Sequence, residues 1–305
     1  MTMENKENFV IIDSNSVIHR AFHALPPLTS KDGKVVNAVY GFLLVLFKLI
    51  KELKPKYIAA CFDLPEPTFR KQAFEEYKAH RKKAPDELYE QIPVVKEVLR
   101  KFNVPVFEKA GYEGDDLIGT LAKKSDKNNI VVSGDLDNLQ LINGNTFVYY
   151  LNKGVKNAVL MDEKAISEKY EGLNPRQLID LKGLRGDASD NIPGVKGIGE
   201  KTALKLIKEF GSIDNLYLKL EKGDVNLPQK VKEKLFNEKE KALLSRSLGE
   251  IRTDVPVEIN MEECEWGGYD EEEVIKMLED FGFKSLIKNI APEKEKTVGE
   301  NLKLW

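Results

Sequence analysis

Three apolar runs in this chain end in aspartate, and a fourth acidic cluster stands between them. Phe9 to Ile12 leads to Asp13, Tyr57 to Phe62 leads to Asp63, and Ile130 to Val132 leads to Asp135 and Asp137. The fourth group, Glu113, Asp115 and Asp116, heads a stretch with helical periodicity. Short β-rich apolar runs read as strands buried on both faces of a parallel sheet. In open α/β sheets, ligands collect at the carboxyl ends of the strands. If the three runs are neighbours, these carboxylates meet on one edge, where two of them ~5 Å apart repel by roughly 3 kcal/mol at an effective dielectric of 20. Such a cluster calls for cations, and an all-oxygen donor set selects hard ones, Mg²⁺ or Mn²⁺. The alternative is local: Asp after a strand is a common turn residue, and Asp115 with Asp116 suits a helix N-terminus.

The elements that must position these residues follow from the pattern. A loop is expected over His19 to Lys34, a helix from an Asn37 N-cap to about Leu53, and then the second strand. A helix over Ile92 to Phe102, a strand at Val104 to Phe107 and the acidic helix from Asp115 to about Lys124 precede the third long strand. This β-α-β alternation predicts an α/β, three-layer parallel-sheet domain over residues 1–173. From Pro175 onward the pattern turns helical, with helices at Pro175 to Leu184, Glu200 to Phe210, Gln229 to Leu235, Glu238 to Leu248 and Glu271 to Phe281, and one extended piece near Val255 to Ile259. Residues 174–290 are therefore expected to form a second, mainly α domain. Residues 291–305, charged and aperiodic, are read as a flexible tail.

Composition narrows the classes. The 305 residues carry 50 acidic and 47 basic side chains, so overall charge is silent on nucleic acid and the distribution must decide. Two isolated cysteines and three histidines exclude a disulfide framework, a zinc finger and a His-rich metal centre. No apolar run is long enough for a signal peptide or a membrane span, and a soluble cytosolic protein is expected.

Two further segments offer chemistry. Thr68 to Pro85 carries Arg70, Lys71, Lys78, Arg81, Lys82 and Lys83 against Glu75 and Glu76; on a helix, Arg70, Phe74, Tyr77, Lys78 and Arg81 share one face. Cations interleaved with aromatics suit a phosphate backbone and a stacked base, although a solvated surface helix has the same pattern. The second segment runs from Gly186 to Ala203. Its Gly197-Ile198-Gly199 turn, flanked by Lys196, Lys201 and Thr202, can aim backbone N–H groups at a phosphate beside a helix N-terminus, or serve as a plain interhelical turn. Glu200 before Lys201 rules out a Walker A loop, and no G-x-G-x-x-G follows a strand. Asp187 and Asp190 add two more carboxylates.

Taken together these blocks resemble the 5′-nuclease domains of bacterial DNA polymerase I, within the flap endonuclease superfamily. The matching residues are Ile12-Asp13, Arg20 to Leu28, Ala38 to Phe42, Phe62-Asp63, Phe69-Arg70, Tyr77-Lys78-Ala79 with Arg81, Gly111 to Glu113 with Asp115-Asp116, Gly134-Asp135 with Asp137, Gly186 to Ala203, and Arg252-Thr253-Asp254. The resemblance implies a PIN-like nuclease core with a helical arch, and a helix-3-turn-helix (SAM-like) DNA-binding domain. It further implies a structure-specific 5′-3′ exonuclease or 5′-flap endonuclease, a monomer in the cytoplasm associated with the nucleoid, acting on DNA with flaps or nicks and on RNA-DNA primers. By the same resemblance Asp13, Asp63, Glu113 and Asp115 hold one metal. Asp135, Asp137 and Asp190 hold a second, Asp116 and Asp187 act through water, and K⁺ sits at the Gly-rich turn.

The expected reaction is two-metal phosphodiester hydrolysis giving a 5′-phosphate and a 3′-hydroxyl. Arg70 and Lys78 stabilise phosphate charge, Arg20 lies close by, and Tyr77, Arg81, Lys82 and Lys83 contact DNA. A non-catalytic DNA-structure binder of the same fold is the competing reading. Ser14 and Leu136 depart from the family pattern, where glycine and lysine are usual, without removing a carboxylate. The final residues, with Leu302, Leu304 and Trp305, resemble peptides that dock on the bacterial sliding clamp, and a frayed end is the alternative.

Overall fold

The structure, a computed structural model, describes residues 6–152 and 158–290. The tail and its expected clamp peptide lie outside the described residues.

The first strand, β1 (Asn8–Asp13), is buried from Phe9 onward and runs without a break into α1 (Ser14–Ala24), whose N-cap is Asp13 itself: its carboxylate accepts from Ser16 N at 3.0 Å. The expected loop therefore begins only at Leu25. Helix α2 (Asn37–Leu53) starts one residue earlier than an Asn37 cap allows. Asn37 is inside the helix and buried, and its amide donates to the carbonyls of Phe22 and Leu25, tying α2 to the end of α1.

Next come β2 (Tyr57–Cys61), the short α3 (Phe69–Ala73) and α4 (Asp86–Tyr89), α5 (Gln91–Lys101) and the two-residue β3 (Val106–Phe107). They are followed by α6 (Gly114–Lys124), β4 (Asn128–Ser133), a 3₁₀ turn over Leu136–Leu141, β5 (Thr146–Tyr150), β6 (Val159–Met161) and α7 (Glu163–Lys169). The sheet order is β3-β2-β1-β4-β5-β6, parallel except for β6. The three strands that precede aspartates, β2, β1 and β4, are thus adjacent, with Asp13 opposite Cys61 and Ile12 opposite Val132. Crossover helices cover both faces, giving the predicted three-layer α/β core.

The helical unit contains α8 (Gln177–Arg185), α9 (Glu200–Phe210), α10 (Ile213–Glu221), α11 (Gln229–Asn237) and α12 (Lys239–Gly249) around its own core of Leu181, Leu184, Leu206, Ile207, Leu216 and Leu235. Helix α10 is an addition to the elements expected from the pattern, and Val255 to Ile259 forms no strand.

The expected boundary of the second domain needs correction. After Glu250 the chain returns to the α/β core: Val255 and Cys264 pack on one face, while α13 (Glu271–Asp280) and α14 (Lys284–Ile287) bury Val274, Leu278 and Leu286 on the other. The reason is an open sheet edge. Short β3 covers β2 only at Ala60 and Cys61, and the Cys264–Trp266 segment pairs with the rest, with Ile58 N donating to Cys264 O at 2.8 Å and Trp266 N to Lys56 O at 2.7 Å.

Candidate active site

Asp13, Asp63 and Asp135 sit at the carboxyl ends of three neighbouring strands and line one cavity of about 470 Å³ with Glu113, Asp115, Asp137 and Asp187. Close backbone approach makes this possible. A Cβ on Gly114 would stand 3.3 Å from Asp63 Oδ1, which instead accepts from Gly114 N at 2.6 Å. A Cβ on Gly134 would fall 1.7 Å from Arg20 Nε, because Arg20 crosses that loop and donates to the Gly134 carbonyl at 2.6 Å. Arg20 thus braces the loop that carries Asp135; it does not line the cavity.

The electrostatics are those of crowded carboxylates. Burial, aided by Asp63 and Asp135, pushes Asp13 up to about 7 even though Ser133 Oγ donates to it at 2.6 Å. Burial with the fields of Asp13 and Asp135 lifts Asp115 well above the usual carboxylate range, against the Asn138 amide donating at 2.8 Å. Asp137 is raised by burial, with Lys182 opposing. Asp187 behaves in the opposite way: burial would raise it, but Ser189 and Lys182 outweigh that and hold it below the ordinary range. Among the described residues no three of these acids are already gathered as a closed ligand cage. They are nonetheless all-oxygen donors held at unfavourable charge density, a set that a hard divalent ion fits.

Over this edge lies the Thr68 to Pro85 segment, and it is not the expected single helix. Helix α3 ends at Ala73, Phe74 is extended, and Lys78 is left-handed at φ 56°. The helical unit captures the chain instead: Lys78 N donates to the Asp190 carbonyl at 2.9 Å and Asn191 Nδ2 to the Glu76 carbonyl at 2.7 Å. The basic side chains still turn inward. Lys78 Nζ reaches Glu113 at 2.8 Å, Tyr77 Oη donates to the same carboxylate at 3.2 Å, and Arg81 Nε donates to Asp190 at 3.1 Å. Lys78 and Arg81 line the cavity; Lys82 is exposed and Lys83 pairs with Asp86, away from it.

Arg70, Asp116 and Asp190 do not line the cavity. Arg70 is 2% exposed: it grips Asp116 with both terminal nitrogens at 2.7 and 2.8 Å and donates to the carbonyls of Leu248 and Glu250. Four of its five N–H donors are so engaged, and Nη1 also lies 3.6 Å from Glu113, which leaves it buried among protein groups and away from the cavity. Asp116 is wholly buried and accepts also from the backbone N–H groups of Glu113 and Arg252, which ties the head of α6 to the 248–252 segment. Asp190 lies outside the cavity lining, engaged by Arg81, whereas Asp187 lines it.

Lys182, on α8, escaped sequence reasoning. Its ammonium meets both Asp137 and Asp187, the latter at 2.9 Å, and its sequence neighbourhood carries no motif that would single it out. His19, Tyr150 and Arg185 also line the cavity.

The Gly-rich turn is built as expected. Gly197 takes φ 78°, Ile198 is buried in the helical core, and Gly199 is the N-cap of α9, so only backbone and the exposed Lys196 and Lys201 face outward, with Thr202 half-buried. Lys234 Nζ donates to the Gly197 carbonyl at 3.1 Å, and a second cavity there is lined by Lys196, Lys230 and Lys234 with Glu233 and Glu238.

Residues 8–171 match the 5′-3′ exonuclease N-terminal resolvase-like domain, and residues 173–272 match the 5′-3′ exonuclease C-terminal SAM fold. The chain belongs to the 5′-3′ exonuclease family. It is 42% identical to DNA polymerase I of Bacillus subtilis over 294 residues, 95% of this chain and 33% of that protein, so it spans about a third of the length of this relative. Its fold is that of the bacteriophage T5 5′-exonuclease with bound zinc (TM-score 0.68, 20% identity, covering 93% of this chain and 97% of that one). The flap endonuclease-1 of Methanococcus jannaschii aligns at TM-score 0.57 and 20% identity, over 93% of this chain and 90% of that one. No helix among the described residues is long and apolar enough to cross a membrane.

Proposed function

We propose that this chain is a divalent-cation-dependent 5′ nuclease of DNA that trims 5′ flaps and RNA primers. The observation that carries the reading is the meeting of Asp13, Asp63, Glu113, Asp115, Asp135 and Asp137 in one cavity that Lys78 and Arg81 also line. Mg²⁺ or Mn²⁺, when bound, supplies positive charge against the phosphate and lowers the pKa of a coordinated water.

The residues divide that work. Asp13, Asp63, Glu113 and Asp115 would hold the proximal ion; Asp135, Asp137 and Asp187 would hold the distal one, Asp187 taking the role expected of Asp190 because it lines the cavity and Asp190 does not. Lys78 and Arg81 meet the scissile phosphate, and Tyr77 orients Glu113 instead of stacking on a base, since it is buried. The Gly197–Gly199 turn, with Lys196 and Lys201, holds a duplex phosphate through outward N–H groups. A K⁺ ion would be held at this turn in competition with Lys234, whose ammonium donates to the Gly197 carbonyl.

A labelled 5′-flap duplex incubated with and without Mg²⁺ tests the reading. Cleavage should require the metal and vanish in Asp115→Asn, with flap binding retained. Tight binding without any cleavage favours the non-catalytic DNA-structure binder, and undiminished cleavage by Asp115→Asn refutes the assigned site.

A further inference from the structure

The two halves of the acidic cavity are neutralised in different ways. In the proximal half, Asp13, Asp63 and Asp115 receive only neutral donors among the described residues: Ser133 and Ser16 N for Asp13, Gly114 N for Asp63, and Asn138 for Asp115. Among the described residues Glu113 alone there meets cations, Lys78 at 2.8 Å and Arg70 at 3.6 Å, both from the Thr68 to Pro85 segment. In the distal half, cations of the chain itself meet the carboxylates. Lys182 contacts both Asp137 and Asp187, while Asp135 accepts from Asp137 N and Arg81 holds Asp190 just outside the cavity lining.

The path of the Lys182 stem fixes where its charge sits. It springs from α8, is 4% exposed, and passes over Gly249 at the end of α12, where a Cβ would stand 2.9 Å from Lys182 Cδ. A buried ammonium with carboxylates on two sides is a fixed charge, unable to swing into solvent as a surface lysine does. Asp137 belongs to the α/β core and Asp187 to the loop after α8, so this one charge also joins the two units.

We propose that Lys182 is the built-in counter-cation of the distal half, occupying the oxygens that a second divalent ion needs. The proposal rests on the metal-site reading above. The first divalent ion then enters the uncompensated proximal half, and the second binds in competition with the ammonium. Lys182 is a positioning residue that makes loading of the site sequential.

Mn²⁺ titration of the DNA-free full chain, read as loss of the free-ion resonance signal, tests this. The native protein should take up one ion tightly and a second weakly. Lys182→Met should bind the second at least about tenfold more tightly while the first changes by less than about twofold, since an opposing unit charge in contact has been removed. Lys182→Arg, which keeps the charge, should behave as the native protein. A mere strut between the two units predicts the reverse sign, because its loss would scatter Asp137 and Asp187 and weaken the second site. Lys182→Gln, able to hydrogen-bond both carboxylates without charge, serves if Lys182→Met does not fold. An unchanged or weaker second site in the folded variants overturns the proposal. Asp115→Asn separates the two readings: if it leaves the first, tight ion unaffected, the proximal metal assignment falls, whatever Lys182 does.

Discussion

At the scale of single residues, the arginine that looked like a phosphate ligand is a structural bolt. Arg70 spends four of its five N–H donors on Asp116 and two carbonyls of the 248–250 segment, and through Asp116 it fixes the Glu113 backbone at the head of α6. Breaking a buried pair leaves an uncompensated charge, so Arg70→Met should cost about 3–5 kcal/mol in urea unfolding. A phosphate ligand would instead leave stability unchanged and raise KM. The proximal carboxylates carry a second prediction. In the metal-free native state Asp13 is pushed up to about 7, whereas in the unfolded chain it ionises near the ordinary 3.8. Between those values the native state holds a proton that the unfolded chain has released. This group therefore favours folding at the acid end of the window and loses that contribution as pH rises through about 7. A divalent ion must displace the proton. Mg²⁺ binding at pH 6 should release protons, visible as a calorimetric heat that depends on the buffer, and should release almost none at pH 8.5. Buffer-independent heat at pH 6 would show that Asp13 is not a ligand.

At the scale of elements, the loop between α8 and α9 does two jobs with different tolerance. Gly186 and Gly194 cross at its neck, at φ 73° and 61°, and a Cβ on Gly194 would lie 2.3 Å from Gly186 N. Gly194→Ala must open the loop that presents Asp187 and Asp190, and should lower stability by about 1–3 kcal/mol and weaken distal metal binding. Gly199 has ordinary φ, and a Cβ added there would meet nothing within 4 Å. Gly199→Ala should therefore leave thermal stability within about 0.5 kcal/mol yet weaken duplex binding if phosphate approaches that N–H. Equal duplex affinity would make the turn purely structural. The same elements show what the sequence could and could not tell. Strand ends and their aspartates were legible because an apolar run followed by Asp is a local pattern, and sheet order placed β2, β1 and β4 side by side. The 74–85 segment has a helical pattern but not a helical fold, because its conformation is set by hydrogen bonds to Asp190 and Asn191, over a hundred residues away. Lys182 was invisible for a similar reason: its meaning arises from α8 crossing Gly249, which no spacing encodes.

At the scale of the whole molecule, the helical unit is an insertion into the α/β unit's packing, not an appendage after it. Chain order suggests cutting at residue 173, but residues 255–290 complete the core that residues 8–151 begin. Trp266 stacks on Phe102 at 5.9 Å, Tyr269 meets the same ring edge-on at 5.1 Å, and Cys264 closes the sheet edge at Ile58. A fragment of residues 1–173 would expose the surface of α2 and α5 that Val274, Leu278 and Phe283 cover, together with the unpaired lower half of β2. Exposed apolar area and an open edge are what drive loose packing and aggregation. That fragment should therefore bind a hydrophobic dye, lose near-ultraviolet dichroism and exchange the Ile58 amide rapidly. The full chain should protect Ile58 and unfold in one calorimetric transition, since the Arg70 bonds to 248–250 and the Lys182 bridge join the units on both sides of the cavity. Two separated transitions, or a native-like fragment 1–173, would mean that the returning segment merely decorates the core. A single transition would make the carboxylate cavity inseparable from the fold, because Asp187 and Lys182 join it only when both units have closed around it.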